Sequence, residues 1–172
     1  MNIYCYIPLA IGQIIPQEVC NSLASQSIEI NAIPCYMPGV VQSQSGLCKD
    51  ARGKVIGERL SRNLALDFMK KSNDEFAIMQ DRDIIHLYPD NYEKAIIHLK
   101  KNPDVAVISL PWKNQSCFEH IRIQALIFRI SLIGDFSFID DGLNHTCMTV
   151  MNYFKEKYQW FPSDHKLIKE LL

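Results

Sequence analysis

Short apolar runs alternate with stretches whose apolar residues recur at helical spacing, and this alternation most limits the folds open to the chain. Residues 105–110 are a nearly continuous β-branched and aliphatic run, the pattern of a central strand covered on both faces. Earlier runs at 2–7, 28–33 and 75–80 read as further strands, the first stopped by Pro8 and the second by Pro34. Between them lie three apolar stripes of helical period: Val19, Cys20, Leu23 and Ala24 after Pro16; Leu60, Leu64, Ala65 and Phe68 within 57–71; and Tyr92, Ala95, Ile96 and Leu99 after Pro89. Strands alternating with helices predict an α/β layered fold with a mainly parallel sheet. Residues 35–54, rich in Gly, Ser and Gln and holding Pro38, read as a long loop. The C-terminal third is less regular: one or two strands within 121–133, a helix over 146–157, and a short terminal helix over 167–172.

Composition narrows the function classes. A length of 172 residues suits one domain, and a formal net charge of −1 without a basic block argues against nucleic-acid binding. No apolar run nears the roughly 20 residues that span a bilayer. The N-terminus lacks a basic leader and is interrupted by Pro8, Gly12 and Pro16, so it reads as a strand and loop rather than a signal peptide. Six cysteines without a C-x-x-C pair suit small buried hydrophobes in a reducing cytoplasm. A Cys5–Cys35 disulfide stays open.

Asp81-Arg82-Asp83 follows the 75–80 strand directly. Two carboxylates one residue apart, at the carboxyl end of a strand in an open α/β sheet, are placed to share a hard divalent cation. The bland reading is a solvated loop. His86, His98 and His120 have no partner at a convincing spacing and read as surface or packing residues; Trp112 and Trp160 read as packing, with sugar stacking the alternative.

Several segments together resemble the family-two-like GT-A glycosyltransferases. Residues 3–8 resemble that family's first strand, which ends in a proline beside the nucleotide. Ser22-Leu23-Ala24-Ser25-Gln26-Ser27 resembles its S-I-L-x-Q-T signature. Gly57 to Asn63 (GERLSRN) resembles G-x-x-x-A-R-N, and EFAIMQDRDI at 75–84 resembles G-E-Y-I-x-x-L-D-x-D-D. The series covers about residues 2–111 in order. It implies a small, trimmed member: one GT-A-like three-layer sandwich over 1–172, with a nucleotide-sugar-binding half (1–111) and an acceptor-side half (112–172).

The implied activity is metal-dependent, inverting transfer from a nucleoside-diphosphate sugar, with UDP- and GDP-linked donors leading, to an unknown glycan, lipid or protein acceptor. The resemblance implies Mn2+ or Mg2+ held by Asp81 and Asp83, with His165 as a late metal ligand. It implies Asp81 as an alternative ribose contact, Arg59 and Arg62 near phosphate, and Pro8, Leu9 and Ala10 lining the base pocket. A helix-surface position or a buried ion pair is the competing role for Arg62. For the base that deprotonates the acceptor, Asp141 is the choice and His145 the alternative. A partner chain, including a second copy, or a very exposed acceptor site would make up for the trimmed half.

One departure is plain: where the family's second strand ends in an aspartate, this chain reads Ile33-Pro34-Cys35-Tyr36-Met37. That favours the rival reading, a GT-A-like nucleotide-binding or protein-interaction module without turnover. A sugar nucleotidyltransferase fits poorly, because residues 8–16 offer one glycine and no Lys or Arg for a phosphate loop.

Overall fold

Along β1 (Asn2–Ile11) successive side chains take opposite faces: Ile3, Cys5, Ile7 and Leu9 enter one apolar cluster, Tyr6 the other. The same period of two recurs in β4 (Phe76–Gln80) and β7 (Ala125–Arg129). Phe76, Ile78, Ala125 and Ile127 go to the first cluster; Ala77, Met79, Leu126 and Phe128 go to the second. A sheet apolar on both faces needs helices on both. Helices α1 (Gln17–Ala24) and α3 (Asn91–Lys101) cover one face with Val19, Leu23, Tyr92, Ala95, Ile96 and Leu99. Helices α2 (Glu58–Lys71) and α4 (Thr146–Phe154) cover the other with Ala65, Leu66, Met69, Val150 and Phe154. The result is the expected three-layer α/β sandwich. The computed structural model describes residues 2–42, 48–50, 58–110, 125–138, 146–160 and 168–170.

With β2 (Glu29–Gln42), β3 (Cys48–Asp50), β6 (Val107–Ser109) and β8 (Tyr158–Trp160), the main sheet has the order β3-β2-β1-β4-β7-β6-β8. Strands β1, β2, β4, β6 and β8 run one way, and β3 and β7 run against them. A second sheet pairs β5 (Ile84–His86) with β9 (Ile168–Glu170), antiparallel.

Three expectations are corrected. β1 does not stop at Pro8 but continues to Ile11, and β2 runs through Pro34 and Pro38 into the stretch read as loop. The cause is the same in both. β4 pairs with β1 only at Cys5 and Tyr6, and β3 pairs with β2 only at Val40 to Gln42. Each proline therefore lies where one side of its strand has no partner among the described residues, so its missing N–H costs no ladder bond there. The expected terminal helix is instead β9, because six residues make a poor isolated helix while β5 offers an open edge. Within 121–133, the strand ends at Arg129 and a 3-10 turn follows over Ile130–Leu132.

A Cys5–Cys35 bridge is also excluded. Both thiols are free and buried. In the β1/β2 register Cys5 faces Ala32 while Cys35 faces Pro8, and the two residues belong to opposite core clusters. Desolvation raises both thiols, Cys35 to about 11.

At the far end of β4 and β7 a buried arginine holds the layers together. Arg129 donates from Nη2 to Leu99 O at the end of α3 (2.5 Å), from Nε to Val105 O (3.3 Å), and from Nη1 to Glu75 Oε1 (3.2 Å). Its guanidinium lies 4.9 Å from the Phe76 ring centroid.

Candidate active site

Strands β1, β2 and β4 are mutually parallel, so their carboxyl ends share one edge of the sheet. The β1/β4 register sets Cys5 opposite Ile78 and Tyr6 opposite Met79, so Pro8 and Asp81 each lie two residues further along. On the other side Pro8 is paired with Cys35. The residue just after β4, the end of the expected first strand and the place where the second strand lacks its carboxylate therefore meet at one level. This is the carboxyl edge at which open α/β sheets hold ligands.

The aspartates stay where solvent and ligands reach them: Asp81, Arg82 and Asp83 are each half-buried. Arg62 is fully buried in α2, and its Nη2 meets Asp81 Oδ1 at 2.5 Å while the Asp81 side chain remains 24% exposed. A fully desolvated guanidinium needs such a partner. Of the competing roles for Arg62, the buried ion pair is thus realised, and it reaches the site through Asp81. The next residue, Asn63, is bound in both directions to the backbone of Phe138: Nδ2 donates to its carbonyl (2.8 Å) and Oδ1 accepts from its amide (2.7 Å). The Arg-Asn pair of the resemblance thus ties the β4 end to a segment from the C-terminal half.

Behind the aspartates lies a polar cluster that sequence reasoning missed. Gln80, wholly buried, donates from Nε2 to Ile84 O (3.0 Å), spanning the Asp81-Arg82-Asp83 turn. Its Oε1 accepts from the Tyr92 hydroxyl (2.5 Å) and from His86 Nε2 (2.8 Å). Asn91 Nδ2 approaches His86 Nδ1 at 3.4 Å, which suits the neutral ring protonated on Nε2. Burial drives the His86 pKa down to about 3. Of the two roles expected for His86, surface or packing, packing holds, and the ring has hydrogen-bond partners that its sequence spacing did not reveal. His98, in contrast, links α3 to β8 through Gln159 Oε1 (2.9 Å).

The Ser22 to Ser27 segment holds the same region from α1. Ser22 Oγ accepts from the His86 amide (2.7 Å), and Gln26 donates to Tyr88 O (3.1 Å) and accepts from the Tyr92 amide (3.4 Å). Gln26 therefore fastens the β5–α3 connection. The signal for it was the Gln of that segment, which the sequence alone could not connect to residues more than sixty positions away.

The other expected site residues divide clearly. Pro8 is half-buried, and Leu9 and Ala10 are buried. The Ala10 amide is engaged by Gln13 Oε1 (2.8 Å), and its carbonyl by the Gln13 amide (3.0 Å). Gly12 closes that turn at φ +87°, a conformation costly to other residues. Arg59 lies in the first turn of α2, with its side chain outside the described residues. Trp160 ends β8, with its side chain likewise outside. Asp141, His145, His165, His120 and Trp112 fall outside the described residues.

Comparison with solved structures decides the architecture. S. aureus TarS 1–349 in complex with UDP-GlcNAc matches 100% of this chain with a TM-score of 0.68 at 16% identity. The glycosyltransferase GlyE of Streptococcus pneumoniae TIGR4 matches 94% with a TM-score of 0.57 at 12% identity. The fold is GT-A-like. A197 from STIV matches 100% of the chain, and 86% of its own, with a TM-score of 0.64 at 9% identity. The GT-A-like chain spans 59% of the length of that TarS structure and 45% of GlyE. No family model and no curated protein matches the sequence. No helix among the described residues is long and apolar enough to cross a membrane.

Proposed function

We propose that this chain is a glycosyltransferase that binds a nucleoside-diphosphate sugar with Mn2+ or Mg2+ and transfers the sugar, with inversion, to an acceptor hydroxyl. The observation that carries the reading is the Asp81/Asp83 pair at the shared carboxyl edge of β1, β2 and β4, with Asp81 anchored by buried Arg62. The crystal structures of TarS 1–349 in complex with UDP and with UDP-GlcNAc support a nucleotide-sugar donor for this fold.

The donor set suits a hard divalent cation: two carboxylates, one residue apart, neither sealed from solvent. Among the described residues no group of three metal-binding side chains forms, so His165 and oxygens of diphosphate and water would complete the shell. When bound, such a cation offsets charge developing on the departing diphosphate. Asp83 is the proposed direct ligand. Asp81, oriented by Arg62, is a ligand or a ribose contact, and Pro8 to Ala10 flank the base. Asp141, with His145 the alternative, would take the acceptor proton as the acceptor oxygen attacks the anomeric carbon. The bond from that carbon to the diphosphate oxygen breaks, and the diphosphate leaves with the electron pair.

Thermal unfolding with UDP, GDP, CDP and TDP, with and without Mn2+, tests the site in wild type and Asp83→Asn. A ligand confined to the folded state at a hundredfold excess over its Kd should raise the midpoint by about 5 °C or more. The expected result is a metal-dependent rise with one nucleotide that Asp83→Asn abolishes. A rise indifferent to metal and to Asp83→Asn would overturn the site. The alternative, a nucleotide-binding or interaction module without turnover, is favoured by Cys35, a neutral buried thiol at the level where the resemblance expects a carboxylate. Metal-dependent binding with no donor hydrolysis or transfer would select it.

A further inference from the structure

The family pattern quoted above has leucine immediately before the first aspartate of D-x-D, and this chain has Gln80 there. An amide in a wholly buried position is costly unless every polar atom is bonded. Here each is used in a direction that bears on the aspartates. The Gln80 nitrogen reaches Ile84 O (3.0 Å) across the three residues of the turn, so one side chain joins its two ends. Its oxygen is held by Tyr92 from α3 and by His86 from β5. The backbone of His86 is in turn bonded to Ser22 of α1, and the ring pair His86–Tyr92 packs at 4.4 Å between centroids. Asp81 is bound from the opposite face by Arg62 of α2. The turn is therefore gripped from both layers of helices.

We propose that Gln80, His86 and Tyr92 form a positioning unit that sets the separation of Asp81 and Asp83, and that the unit thereby tunes affinity for a divalent cation without touching cation or nucleotide. The inference rests on the metal site of the preceding section. Groups that orient metal ligands commonly change metal affinity by about ten- to a hundredfold when removed, whereas a residue that only fills the core lowers stability and leaves the affinity of the folded fraction alone.

The test measures Mn2+ affinity by the loss of the free-ion paramagnetic signal, with UDP affinity in saturating Mn2+ by calorimetry, well below each variant's unfolding midpoint. Gln80→Leu supplies the family's residue and removes the staple. Tyr92→Phe removes only the hydroxyl bond to Gln80 and keeps the ring, so it serves if Gln80→Leu fails to fold. The expected result is Mn2+ affinity weakened about tenfold in Gln80→Leu and about threefold in Tyr92→Phe, with UDP affinity at saturating metal nearly unchanged in both. Wild-type Mn2+ affinity in folded variants of lowered stability would overturn the proposal and make the cluster packing alone. Wild-type protein that binds no Mn2+ would overturn the metal site itself, and the positioning role with it.

Discussion

Two arginines are buried at opposite ends of β4, and they serve different purposes. Arg129, level with Phe76 at the start of the strand, gives its donors to the carbonyls of Leu99 and Val105 and to Glu75. Those partners tie α3, the α3–β6 connection and β7 into one unit. Arg62, beyond the other end of the strand, meets Asp81, a carboxylate still 24% exposed. One end of the sheet uses a guanidinium to bind the backbone carbonyls of α3 and its exit. The other uses it to hold an acid at the surface. Satisfying the core and arming a site are thus separated along a single strand.

The contrast breaks most visibly at Arg129. Arg129→Leu would remove the charged donor from the Val105 carbonyl and from the Leu99 carbonyl, which keeps the Asn102 amide, and should lower stability by about 3 kcal/mol. That loss reads as a shift in the urea midpoint, with the nucleotide-dependent thermal rise of the folded protein retained. Loss of that rise in the folded variant would show that both ends of the strand serve the site. Arg62→Met should cost less, about 1–2 kcal/mol, because Asp81 can rehydrate once its partner is gone. The metal-dependent rise should nevertheless fall by at least half, and an unchanged rise would reduce Arg62 to a structural ion pair.

The smallest expected effect sharpens the comparison through pH. His86 is held neutral in the folded state with its pKa near 3, whereas an unfolded histidine titrates near 6.5. Between those values the unfolded chain binds one proton more, so stability falls as pH drops from about 6.5 toward 3 and this group adds no further loss below that. At pH 6 the deficit should be about 1 kcal/mol relative to pH 8, seen as a lower urea midpoint. His86→Gln, which cannot titrate, should lose that part of the slope.

The alternation of apolar periods made the layers legible, because burial on both sheet faces and along one stripe of each helix leaves a pattern within a few residues. Asp81 and Asp83 were legible as well, since a strand end followed by D-x-D is a local feature. Gln80 and His86 were not, because a buried amide is paired only by side chains that the fold brings to it. The tolerance of Pro8, Pro34 and Pro38 could not be read locally, since it depends on which neighbouring strand stops short.

The sequence by itself determined a layered α/β plan with a mainly parallel sheet, the order of its main early strands and helices and the place of the acidic pair, because apolar periods and adjacent residues are short-range features. The three-layer sandwich was implied by the family resemblance. Only the tertiary structure decided that β7 wedges antiparallel between β4 and β6, that residues 168–170 pair as a strand with β5, and that Arg62 is paired with Asp81. These are contacts between distant segments, chosen by which edges and buried charges remained to be satisfied once the layers had closed.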